Sequence, residues 1–272
     1  MSQNQLVGVA AGDSWCFELP FDLGTGGGLA KALFKDRLGI PYTNLAHAGD
    51  SSEESMGLGM SSKLRSVLPN ANIILWSSGG DDFAGDNWRI FLNKNVGQPI
   101  SGALNLDFLN DALKVTMNDY KRLVQIRDEV APQCLIVCGC YDFPPAQMMG
   151  NGFLTYGPWL QPGLADAGWT NPDDQAAIVK NTLIILKSKI QSFASSVQGF
   201  LFSDCQGICS ETDWANELHL NRSGCAKHGD NMNLDLLPYL DTLAAGGVAK
   251  TQAVAPLAAG LASPPPPAPD YA

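Results

Sequence analysis

The sequence predicts an α/β fold: one three-layer α/β/α domain in which helices cover both faces of a five-stranded parallel sheet. Two observations carry this. Five short apolar runs recur along the chain, and amphipathic, helix-period stretches separate them. A third concerns size: 272 residues, 45% of them hydrophobic, suffice to bury one full core.

The first run, residues 6–11, is shorter than a signal-peptide core of ~7–15 residues and has no Lys or Arg before it, so it reads as a buried first strand. A helical pattern follows at 29–38, then a second run at 42–46 and a helical pattern at 52–68. The third run, 72–77, precedes a helical pattern at 107–129. The fourth, 134–139, carries Cys134 and Cys138, which with Cys140 share one face of an extended chain. Residues 141–170 form a long Gly- and Pro-rich connection, and its aromatics Tyr141, Phe143, Phe153, Tyr156, Trp159 and Trp169 predict an ordered, functional segment. A helical pattern at 173–196, a fifth run at 199–203 and a last helical pattern at 223–243 complete the domain, expected to span residues 1–246. Residues 247–272 turn to Ala, Gly and Pro and are expected to form a flexible tail.

The formal net charge is -10 and the pI near 4.6. Such a chain repels phosphate backbones, so no nucleic-acid partner is expected, and the acidity itself reads as solubility. No apolar run approaches the ~18 residues of a membrane span. Without an export signal the expected location is cytoplasmic, where the seven cysteines stay buried and reduced. Cys225 and His228 make a C-x-x-H pair on a helix, too few ligands for zinc, so no metal is expected. The Gly24–Gly28 run does not fit G-x-G-x-x-G, since Leu29 falls where the third glycine belongs, and it does not follow a strand.

In open parallel sheets ligands bind beyond the carboxyl ends of the strands, so the residues after each run matter most. The first run ends in Gly12-Asp13-Ser14-Trp15, which puts a serine at the mouth of the sheet. A serine needs a base to become a nucleophile, and His219, just before the last helix, is the candidate. His47 and His228 read as satisfied structural histidines. After the second run comes Gly49-Asp50-Ser51, and after the third Gly79-Gly80-Asp81-Asp82, with Asp82 open to a plain turn role. On their own, Ser14 is equally a helix cap and Gly-Asp-Ser a chance match.

Together the four segments resemble the blocks of SGNH (GDSL-type) hydrolases, which are esterases, lipases and deacetylases. Gly12-Asp13-Ser14 resembles the nucleophile block, Gly49 the oxyanion glycine, Gly79-Gly80-Asp81-Asp82 the Gly-x-Asn-Asp block and Asn216-Glu217-Leu218-His219 the Asp-x-x-His block. Gly139-Cys140-Tyr141-Asp142 and Trp214-x-Asn216-Glu217-Leu218-His219 are similar to a subgroup of that family. The resemblance runs from about Leu6 to Leu237 and implies a flavodoxin-like sheet, no cofactor, and an ester substrate: a small molecule, a lipid or an acetylated sugar. It implies Ser14 as nucleophile, His219 as base, and Ser14, Gly49 and Asp81 around the oxyanion.

Two positions depart from the pattern. Asp81 stands where the family has Asn; an ionised carboxylate only accepts and repels an oxyanion, so either Asp81 is protonated or Ser14 and Gly49 supply the donors. Asn216 stands where the family has the orienting Asp. The nearest aspartate, Asp213, is the expected orienter; a dyad without an acid and Asn216 as a neutral acceptor are the alternatives. Two altered positions also suit a non-catalytic binding or structural protein on a decayed hydrolase fold. Trp15, Tyr141 and Trp159 are expected to line the substrate pocket.

Overall fold

The structure is a computed structural model that describes residues 5–18, 28–152 and 156–251. Five strands form one all-parallel sheet in the order β2-β1-β3-β4-β5: β1 Gly8–Gly12, β2 Tyr42–Asn44, β3 Ile73–Ser77, β4 Leu135–Gly139 and β5 Phe200–Ser203. The order reverses beside β1, so its carboxyl end is the switch point where such sheets bind ligands. Every residue of β1 and β3 is buried, as expected for strands covered on both faces.

Small residues in β1 let the covering layer come close. A Cβ on Gly8 would meet the Phe34 ring at 2.7 Å, and one on Gly229 would lie 3.1 Å from Ala32. The helix Arg222–Leu236 therefore packs tightly on the π-helical turn Lys31–Lys35. On the opposite face, Leu106–Val130 and Pro172–Ser195 run as long helices. Leu106–Val130 buries Leu109, Leu113, Thr116, Tyr120, Leu123 and Ile126 at helical spacing behind an Asn105 cap. Pro172–Ser195 starts with Asn171 as cap, Pro172 in the first turn and acidic Asp173 and Asp174.

Two expected helices are broken. The 52–68 pattern is split into Ser52–Ser55 and Leu58–Val67. Ser51 and Glu54 close a capping box on the first piece, and Gly57 leaves the helix to start the second. The 223–243 pattern ends its α-helix at Leu236, because Pro238 removes a backbone donor and tightens the chain into a 3-10 turn, before Leu240–Ala244 resumes.

The 141–170 connection holds the helix Gln161–Asp166 and contributes to a second apolar cluster. There Leu160, Leu164 and Trp169 pack with Trp88, Leu92 and Ile178. The domain also extends past residue 246: Ala249 is buried, its carbonyl accepts from Gln198, and Thr251 Oγ1 accepts from the Gly199 N–H at the entry to β5. Residues 252–272, most of the expected tail, lie outside the described residues, as do residues 24–27 and Phe153. Among the described residues no helix is long and apolar enough to cross a membrane, and all seven cysteines are free.

Candidate active site

Gly12 closes β1 at φ +118°, and a Cβ there would sit 1.7 Å from the Ser77 carbonyl oxygen. Only glycine lets the chain turn so close to β3. The turn is then locked by Asp13, buried beneath it. Its carboxylate accepts from the Trp15 N–H at 3.1 Å, the Ser77 hydroxyl at 2.9 Å and the Tyr141 hydroxyl. Burial pushes Asp13 up to about 6 against these hydrogen bonds, which favour its charged form.

Ser14 follows, with its Oγ 2.9 Å from Nε2 of His219. The histidine sits on a loop pinned at both ends. The Trp214–Leu220 bridge pairs its stems, and the Asn221 N–H donates to the Asp213 carbonyl at 2.9 Å. Inside the loop, Asn216 Oδ1 accepts from the N–H groups of Leu218 and His219 at 2.9 and 2.8 Å and lies 3.1 Å from His219 Nδ1. An amide oxygen facing Nδ1 requires that nitrogen to carry the proton, which leaves Nε2 as an acceptor toward Ser14. Burial pulls His219 down to about 4, so the ring is neutral at pH 7. The Trp159 ring stands edge-on to it, with centroids 5.3 Å apart.

Asp213 does not face the ring, contrary to expectation. Its carboxylate accepts from the Ser210 N–H and hydroxyl at 2.7 and 2.6 Å and from Lys227 Nζ at 2.5 Å. Burial would raise it, but Lys227 and Ser210 outweigh burial and hold it well below the usual carboxylate range. The residue against His219 Nδ1 is Asn216.

Ser14, Gly49 and Asp81 border one cavity of about 420 Å³. Gly49 adopts φ +84° and Asp81 opens the 3-10 turn Asp81–Phe83. Burial, then the charges of Asp13, Asp82, Asp50 and Glu54, push Asp81 up to about 8. Its Oδ2 is buried with no hydrogen-bond partner among the described residues. Asp82 is more than a turn residue: it accepts from the Ser52 N–H at 2.8 Å and the Thr116 hydroxyl at 2.6 Å, tying three elements together.

Trp15 and Trp159 border the cavity as expected, and so does Tyr156. Tyr141 does not. Gly80 has no side chain, and the Tyr141 ring fills that space, 2.7 Å from where a Cβ would stand, with its hydroxyl on Asp13. It is a support under the Ser14 turn rather than part of the cavity wall.

No protein-family model matches the sequence, and no curated protein matches it. Solved structures do match. A lipase from a goat rumen metagenome, Lip_vut3, aligns with 85% of this chain and 97% of its own at TM-score 0.52 and 12% identity. Phospholipase A1 from Streptomyces albidoflavus NA297 aligns with 85% of this chain and 98% of its own at TM-score 0.51 and 16% identity. This chain has the SGNH-hydrolase fold. On the SGNH sheet, the blocks that suggested it, at Ser14, Gly49, Asp81 and His219, converge on the single cavity beyond β1.

Several contacts around the candidate site escaped the sequence reading. Glu217 is fully buried and accepts from the N–H groups of Gly150, Trp159, Leu160 and Gln161, so it holds Trp159 over His219. Trp15 Nε1 donates to the Leu218 carbonyl at 3.0 Å, linking the serine turn to the histidine loop. His228 is fully buried beside Trp15, and the polar group its ring faces is the carboxylate of buried Asp142. Its Nε2 lies 3.6 Å from Asp142 Oδ2, and Cys209 joins them in a group whose donor atoms fall within 4.8 Å of one another.

Proposed function

We propose that this chain hydrolyses carboxylic esters through an acyl-enzyme on Ser14, with His219 as general base and Asn216 as its orienting partner. The observation that supports this most is the 2.9 Å approach of His219 Nε2 to Ser14 Oγ, with Asn216 Oδ1 behind Nδ1. Ser14 Oγ attacks the ester carbonyl while Nε2 takes its proton. The oxyanion develops beside the backbone N–H groups of Ser14 and Gly49 and the carboxyl group of Asp81. The imidazolium returns the proton to the leaving alcohol, and Nε2 then deprotonates a water that attacks the acyl-enzyme. Asn216 fixes the tautomer but, being neutral, leaves the imidazolium without a balancing charge.

Ser14→Ala is the deciding variant. It is expected to abolish Ser-dependent turnover of p-nitrophenyl butyrate and labelling by a serine-directed phosphonate, with melting unchanged. A well-folded Ala variant with wild-type turnover overturns the reading. A wild type that neither turns over an ester nor takes the phosphonate identifies a binding protein on this fold instead.

A further inference from the structure

The wall of the cavity names a class of ester. Around Ser14 and His219 stand Trp15, Phe17, Leu29, Trp159, Leu218 and Leu220, and among the described lining residues Asp81 is the one Asp, Glu, Lys or Arg. Among the described residues no Lys or Arg borders it. Acidic groups surround Asp81: Asp82 in the same 3-10 turn, Asp13 under the Ser14 turn, Asp50 on the loop after β2 and Glu54 in the short helix Ser52–Ser55. Lys63 and His47 act on Asp50 from outside the cavity and line no part of it.

Each substrate feature meets this wall differently. An alkyl chain gains from every methylene it removes from water. An acetyl group leaves most of the apolar wall uncovered, and the several hydroxyls of a sugar meet few polar side chains there beyond Asp81 and Tyr156. A carboxylate or phosphate entering the cavity loses its water, finds no cation and faces several acids. A water-sized group takes about 30 Å³, so a cavity of about 420 Å³ has room for an ester with a medium-length chain and not for a long one.

We propose that the substrate is an ester of an uncharged, medium-chain fatty acid of about six to ten carbons, with its alkyl chain against Trp15, Leu29, Leu220 and Trp159, and that acyl groups ending in a carboxylate are rejected. The proposal rests on Ser14 being the nucleophile.

The test is a series of p-nitrophenyl acetate, butyrate, octanoate and palmitate, with hexanoate set against the half-ester of adipic acid, which has the same chain length and a terminal carboxylate. The value of kcat/KM is expected to rise up to about fourfold per methylene between acetate and octanoate. It should not rise further at palmitate, and the adipate half-ester should fall at least about 100-fold below hexanoate. In parallel, methyl acetate, methyl hexanoate, methyl octanoate and monomethyl adipate are titrated into the Ser14→Ala protein, following the fluorescence of the cavity tryptophans. Tighter binding of octanoate than acetate, and of hexanoate than monomethyl adipate, is the expected result. Flat chain-length and charge preferences in both assays overturn the proposal, even where Ser14-dependent hydrolysis stands. Absent hydrolysis with the expected binding order overturns the esterase reading and keeps the class of ligand.

Discussion

Replacing Asp81 with Asn tests the position where this chain departs most from the family it resembles. The folded protein holds a proton on Asp81 up to about pH 8, whereas an unfolded chain releases it near 3.8. Between those values the folded state binds the extra proton, so stability falls by about 1.4 kcal/mol per pH unit as pH rises. At pH 7 the ceiling of this loss is about 4 kcal/mol; Asp81 is partly exposed, and solvent screening reduces it to about 2 kcal/mol. Asp81→Asn removes the titration and keeps the shape. The variant should match wild type in melting temperature near pH 4 and exceed it by about 4–8 °C at pH 8. Activity carries the second signature. Protonated Asp81 offers an O–H to the oxyanion, and ionised Asp81 opposes it. Wild-type kcat should therefore fall as pH rises through about 8, and the Asn variant, with an amide donor at every pH, should lose that falling limb. Melting by differential scanning calorimetry from pH 4 to 9, beside pH–rate profiles on one ester, reads both. Parallel melting curves and a shared alkaline limb refute the reasoning.

The other predictions concern the histidine and its supports. Burial holds His219 near 4, so the base is free above that value; the acid limb of kcat/KM should lie near pH 4 rather than 6.5, and a limb at 6.5 rejects the buried ring. Asn216→Asp should move that limb upward and raise kcat, because a carboxylate stabilises the imidazolium; a fall in kcat with the limb unmoved removes position 216 from the machinery. Asp213→Asn should leave kcat within about threefold of wild type and destabilise by about 1–3 kcal/mol, through the lost Lys227 and Ser210 contacts; a loss of orders of magnitude in kcat returns the orienting role to Asp213. Trp159→Ala should weaken octanoate turnover far more than acetate turnover, and equal losses exclude it from the acyl wall.

The sheet and the meeting of Ser14 with His219 were legible because both depend on local pattern. Apolar runs mark buried parallel strands, and Ser14 and His219 follow from where a strand stops and a helix is about to start. What failed depended on where a side chain points. Asp213 and Asn216 precede the histidine by six and three residues, and spacing cannot rank them. The choice is made by Lys227, one turn into the following helix, which captures Asp213. Tyr141 sits at the end of β4 just as Ser14 sits at the end of β1, but the bare backbone of Gly80 opens an inward space that the ring takes. The broken helices turned on Gly57 and Pro238, single residues inside otherwise periodic stretches.

The acidity of the chain reads differently once the loops are seen. Read from composition, it means solubility. In the fold, a set of carboxylates at the sheet's carboxyl end accepts backbone N–H groups: Asp13 from Trp15, Asp82 from Ser52, Asp142 from Phe143, Gly207 and Cys209, Asp213 from Ser210, and Glu217 from Gly150, Trp159, Leu160 and Gln161. Loops beyond a parallel sheet have no ladder to satisfy their N–H groups, and buried donors left unpaired are costly. A carboxylate accepts several at once, which an amide does less well. Here these acids fasten the segments that carry Ser14, His219 and Trp159, which are far apart in sequence. Glu217 makes the point sharply: one side chain gathers four N–H groups from the connection before Pro172–Ser195 and sets Trp159 against the histidine. Part of the net charge therefore holds the site together, and two of the acids that fasten its loops, Asp13 and Asp82, also stand among the charges that surround Asp81 at the cavity.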